Sequence, residues 1–126
     1  ALIKAATGHE PRLFRPPYGL TTGNLCQEAQ RQGYTAVLWT ISSADTRPIP
    51  AVTIARNIIH TPNPGDIVLM HDGAGHRATA AALDQILTEL SAAGFQFVTL
   101  PELLSAWDRC LTEQPPSEPV KTPKGG

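Results

Sequence analysis

The chain carries little charge, few aromatics and almost no sulfur. Aspartate, glutamate, lysine and arginine make up 17% of its 126 residues and leave a net charge of −1. That balance offers no broad basic surface for nucleic acid and no acidic block that would act as a solvating tail. Cys26 and Cys110 are the two cysteines. They stand far apart, belong to no C-x-x-C pair and each falls within a helical pattern, which reads as buried free thiols. No apolar run is long enough to span a bilayer, and no basic start followed by an apolar stretch reads as a signal peptide. The chain opens instead at Ala1 in mid-pattern, as if cut from something longer.

What is present is strand–helix alternation at one-domain length. Residues 1–8 read as a helix end stopped by Gly8, with Leu2, Ile3 and Ala6 as a partial apolar stripe. Leu13-Phe14 reads as a short strand, ended by Pro16 and Pro17, which remove two backbone donors. A helix follows from about Thr22 to Gly33, then a strand over 35–40 and a polar loop over 42–48. Pro50 opens a helix whose buried face would be Val52, Ala55, Ile58 and Ile59. The run Ile67-Val68-Leu69-Met70, bounded by Pro64-Gly65 and by Gly73, reads as a strand buried on both faces. A helix over 78–93 places Leu83, Ile86, Leu87 and Leu90 on one face. A last strand over 95–100 leads into a helix from Pro101 carrying Leu103, Leu104 and Trp107. Such alternation implies a parallel sheet covered by helices. From 113 to 126 the composition turns to Pro, Ser, Lys and Gly, the signature of a disordered tail, so the folded part spans 1–112.

The carboxyl ends of parallel strands share one face, which is where α/β folds place their chemistry. Here those ends deliver Arg15 and Tyr18, then Asp45, then His71 and Asp72. Each residue alone could be structural: an arginine tying down a loop, an aspartate capping a turn, a histidine bonding a carbonyl. Together they suggest convergence. A carboxylate beside an imidazole fixes its tautomer and favours its protonated form, which suits an acid that protonates a leaving amine. An arginine can hold a carboxylate ionised. Ser42, Ser43, Ser91 and Ser105 show no G-x-S-x-G elbow, which disfavours a serine hydrolase.

Four segments, in order, resemble the polysaccharide deacetylase family with the NodB homology domain, carbohydrate esterase family 4. Arg12 to Gly19 is similar to its R-P-P-Y-G segment, and Trp39 to Asp45 to its W-x-x-D-x-x-D-W segment. Ile67 to Asp72 matches I-x-L-x-H-D, and the stretch from Gly94 through Leu103 is like G-x-x-F-V-T-x-x-E-L. The resemblance covers about residues 8 to 108. It implies an incomplete (β/α) barrel of the NodB type and hydrolysis of N-acetyl groups from amino sugars in chitin- or peptidoglycan-like polymers. In that family a divalent metal, usually zinc, activates water and an aspartate takes its proton. Carried over, His71 is the general acid, Asp45 its partner, and Arg15 the residue that holds the catalytic aspartate. Tyr18 offers its backbone N–H, Leu69 lines the acetyl-methyl pocket, and Trp39 packs beneath the site or forms its wall.

The family's T-F-D-D-G-P and H-x-x-x-H-P segments, which supply the base and the metal ligands, are absent. Ser42 stands where the family has its first aspartate, and Thr46 where it has a tryptophan. His71 and His76, five apart across a glycine loop with no third ligand, do not make a metal site; His9 and His60 read as exposed. This chain alone is therefore expected to bind no metal and to be inactive, as the carboxyl-terminal half of a deacetylase domain. The competing expectation is a non-catalytic, carbohydrate-binding or scaffolding relic of the same fold. The substrate class implies an extracellular or cell-envelope location. A half barrel exposes a sheet edge and an apolar face, so self-association is expected; a monomer in sedimentation, with cooperative unfolding, would count against it.

Overall fold

A computed structural model describes residues 2–113, with side chains to residue 110. Apart from residue 113, where the last helix ends, the proline-rich tail lies outside the described residues. Helix α1 (Leu2–Thr7) buries none of its residues, and Leu2 is 88% exposed. Strand β1 (Leu13–Phe14) pairs in parallel with β2 (Thr35–Ala36), and β3 (Ile41–Ser42) pairs in parallel with β4 (Val68–Leu69). Between β1 and β2 runs α2 (Asn24–Arg31). It is closed by Gly33, whose φ of +81° suits a residue without Cβ.

The single strand expected over 35–40 is instead two short strands facing opposite neighbours. Val37 still donates its N–H to Phe14 at 2.9 Å, whereas Thr40 donates to Ile67, also at 2.9 Å. The stretch thus changes partner in between, which leaves carbonyls there to be satisfied by other means. Arg15 does this: its Nε donates to the Val37 carbonyl at 3.2 Å and its Nη2 to that of Leu38 at 3.3 Å.

Helices α3 (Ala51–Ile59) and α4 (Arg77–Ala92) make the core. Ile54, Ala55 and Ile58 of α3 pack with Ala82, Ile86 and Leu90 of α4, and Ile41, Ile49, Met70 and Phe95 close over them. The buried faces differ from those expected. Val52 is exposed and Ile59 only half-buried, while Ile54 is fully buried. On α4 the buried row is Thr79, Ala82, Ile86 and Leu90, at steps of three, four and four residues, and Leu83 and Leu87 remain 40% and 44% exposed.

Leu83 and Leu87 border a groove of about 710 Å³ that they share with Met70, Phe95, Phe97 and Val98. Residues 95–99, expected within a last strand over 95–100, form no strand and have no sheet partner among the described residues. A strand exists only where a neighbour takes its N–H and C=O groups. The run over 67–70 is likewise not buried on both faces: Val68 is exposed and its neighbours half-buried. Burying one such Leu, Val or Phe side chain is worth about 1.5–3 kcal/mol, so this face gains greatly from a cover. Helix α5 (Leu100–Glu113) starts just after Thr99, whose N–H and hydroxyl both donate to Glu102 Oε2 at 2.7 Å, the carboxylate half of a capping box. Neither thiol is buried: Cys26 is half-buried, Cys110 exposed, and both are free. No helix among the described residues is long and apolar enough to cross a membrane.

Candidate proton-donor site

Asp45 and His71 meet at the carboxyl ends of β3 and β4. Asp45 is reached through a tight turn in which Ala44 adopts a φ of +59°, a left-handed conformation uncommon for a residue with a Cβ. The fully buried Ser43 pins that turn: its hydroxyl accepts the Asp45 N–H at 3.3 Å, and its carbonyl accepts Asn57 Nδ2 at 3.0 Å. Sequence position 26 residues later brings His71 off β4, with Leu69 holding the register by accepting the Ser43 N–H at 3.2 Å.

The carboxylate, its side chain 1% exposed, is fully committed. Its Oδ1 lies 2.8 Å from His71 Nδ1. Its Oδ2 accepts the His71 backbone N–H at 2.7 Å and the Thr79 hydroxyl at 3.0 Å. Burial opposes ionisation of Asp45, but the bonds from the His71 ring and backbone, with Ser43 and Thr79, outweigh it and hold the carboxyl at about 2, below its ordinary 3.8. Asp45 is therefore an anion with only acceptor capacity. The 2.8 Å contact then requires Nδ1 to be the donor, which leaves Nε2 as the nitrogen that gains and loses a proton. His71 is 40% exposed in its side chain, so that nitrogen can be reached from outside.

The other expected site residues divide. Arg15 was expected to hold the family's base aspartate, which this sequence lacks; here it donates to the carbonyls of Val37 and Leu38. Its guanidinium also lies 5.9 Å from the Trp39 ring centroid, a cation–π contact. Trp39 is half-buried and packs against Gly19; a Cβ at Gly19 would stand 2.7 Å from the indole. Tyr18, in the same turn, has its ring 93% exposed and its backbone at φ 58°. Such left-handed geometry costs a non-glycine residue on the order of 1 kcal/mol or more. Leu69 is half-buried on β4, and Asp72 is exposed. His9 and His60 lie on the surface, as expected.

Sequence reasoning missed Thr79 and weighed His76 only as a metal ligand. Thr79 carries no motif signal of its own; its place eight residues past His71, in the first turn of α4, is the only hint. His76 stacks on His71, ring centroids 5.5 Å apart at 22°, with Nδ1 4.0 Å from Asp45 Oδ2. These groups do not fit a zinc site. No three His, Cys, Asp or Glu side chains converge among the described residues, and Asp45 already accepts bonds on both oxygens.

The family model described as polysaccharide deacetylase matches residues 1–37. A peptidoglycan-N-acetylglucosamine deacetylase of Bacillus cereus is 43% identical over 99 residues, covering 75% of this chain and 46% of the relative. Among solved structures, a peptidoglycan N-acetylglucosamine deacetylase matches with TM-score 0.75 and 33% identity over 81% of this chain and 49% of its own. Peptidoglycan deacetylase PdaC from Bacillus subtilis matches with TM-score 0.77 and 27% identity, over 88% and 52% respectively. The chain thus spans about half the length of these relatives. Fold and site together define an α/β chain of the NodB type, an incomplete (β/α) barrel. Its matches are to the polysaccharide deacetylase family, carbohydrate esterase family 4.

Proposed function

We propose that this chain supplies the proton-donating half of a metal-dependent N-deacetylase acting on amino sugars of peptidoglycan- or chitin-like polymers. The observation that carries the reading is the buried, anionic Asp45 bonded to Nδ1 of a solvent-reachable His71. Hydrolysis of an N-acetyl group needs water to attack the carbonyl carbon and the C–N bond to break, giving acetate and a free amine. An amide nitrogen leaves only when it is protonated, and His71 Nε2 provides that proton. The left-handed turn at Tyr18 supports its assignment to the acyl oxygen, since strained backbone clusters at functional sites. Trp39 and Leu69, both half-buried, are the sugar- and methyl-contacting surfaces in this reading.

The water-activating half, a base and a divalent metal such as zinc, has no donor set among the described residues. It comes from a complementary polypeptide with further strand–helix units. The uncovered groove and the unpartnered stretch 95–99 support such a cover, and a second copy of the chain is the alternative occupant in isolation. A polymer of this kind puts the reaction outside the cell or at its envelope.

The test joins this chain to an upstream half-domain carrying D-D-G and H-x-x-x-H segments and measures acetate release from N-acetylated oligosaccharides. The joined protein is expected to release acetate in a chelator-sensitive way, and this chain alone to release none. Equal release by the chain alone would refute the division of labour.

A further inference from the structure

His76 is the one imidazole near Asp45 to which the proposed function gives no task. It stands at the N-cap of α4, where a polar side chain usually accepts an N–H from the first turn; its ring makes no such bond. The ring is turned back onto His71 instead, at 5.5 Å between centroids and 22° between planes, and its side chain is only 26% exposed. The loop holds it there. Its N–H donates to the Gly73 carbonyl at 3.2 Å, its own carbonyl accepts from Ala80 at 3.2 Å, and Gly75 makes the turn at φ +100°. Gly73 lies against the ring: a Cβ there would stand 4.0 Å from His76 Cδ2, an ordinary contact.

A single hydrogen bond fixes one point of an imidazole and leaves the ring free to swing about it. The terminal torsion of histidine is broad, so it adds little restraint. A second, planar contact is needed to fix the orientation of Nε2. His71 is 40% exposed, and the stacked ring of His76 is the planar partner that the structure records for it.

We propose that His76 is a positioning residue for the proton donor, a stacking wall that holds the plane of His71 while Asp45 holds its Nδ1. The use of His71 as an acid rests on the function proposed above, but the ordering of its ring does not. The wall acts through ring area and not through charge, so phenylalanine can replace it and leucine cannot.

The test is nuclear magnetic resonance on this chain with labelled histidine, comparing His76→Phe and His76→Leu with the parent. Both variants stay apolar and bulky enough to fill the site, which separates stacking from folding. The Nδ1–H resonance of His71 is expected to exchange with water several-fold faster in His76→Leu and at the parental rate in His76→Phe. Its ring C–H order should follow the same pattern. In the joined deacetylase, His76→Leu should lower kcat with KM little changed, and His76→Phe should restore it. Equal exchange and order in all three proteins would overturn the proposal, as would a Phe variant as mobile as the Leu variant. If no joined protein releases acetate while the resonance pattern holds, the proposed function fails and the positioning role stands.

Discussion

Replacing His71 by alanine in the joined deacetylase lowers the rate of acetate release by about 10²–10⁴-fold, the usual contribution of a positioned general acid. The loss falls on kcat, because the proton moves only as the C–N bond breaks, and an interaction made only in the transition state lowers kcat and kcat/KM together. His71 is only half-buried, and alanine keeps the backbone N–H that in the parent donates to Asp45 at 2.7 Å, so the fold is expected to survive the change. Steady-state kinetics on a variant whose circular dichroism matches the parent settles the point. A kcat within a fewfold of the parent would remove His71 from the role of acid.

Asp45 is where stability and chemistry coincide. Its carboxyl sits at about 2 in the folded chain against an ordinary 3.8. A lowered value means that the folded state favours the anion, so the stabilisation is complete above pH 4 and fades as pH falls from about 4 toward 2. At 1.36 kcal/mol per unit the difference is about 2 kcal/mol. Replacement by alanine at neutral pH removes the acceptor from two buried or half-buried donors, the His71 N–H and the Thr79 hydroxyl, and from the imidazole. Leaving such groups unpaired costs about 3–5 kcal/mol, a large share of the ~5–15 kcal/mol that holds a domain together. Urea unfolding across pH measures both effects. The parent should lose stability on acidification between pH 4 and 2, and Asp45→Ala should be less stable at pH 7 with a flatter acid limb. Parallel acid limbs in the two proteins would show that Asp45 is not the titrating group.

The pairing of Asp45 with His71 was legible because parallel strands deliver their carboxyl ends to one side, and the two residues end adjacent strands. The strand–helix order was legible for the same kind of reason, from short apolar runs separated by Gly and Pro. What could not be read depends on neighbours that the local sequence does not name. Leu83 and Leu87 have helical spacing as good as that of Ile86 and Leu90, yet only one row faces α3, and the other borders the open groove. Residues 95–99 have strand composition but pair with no strand among the described residues. The bonds from Arg15 to the Val37 and Leu38 carbonyls could not be read either, because the change of pairing between Val37 and Thr40, which strands those carbonyls within its reach, has no signature in composition. Thr79 and His76 join the site only through the fold of the 72–76 loop, and a glycine-rich loop does not announce where it returns.

The proton-donor role is tested most directly by changing the leaving group. In the joined protein, hydrolysis of an N-acetyl amide is compared with that of an aryl acetate ester, whose phenolate departs without a proton. Loss of His71 is expected to cripple the amide reaction by about 10²-fold or more and to spare the ester nearly completely. Equal losses on both substrates would contradict the assignment of His71 as the acid that Asp45 holds in place.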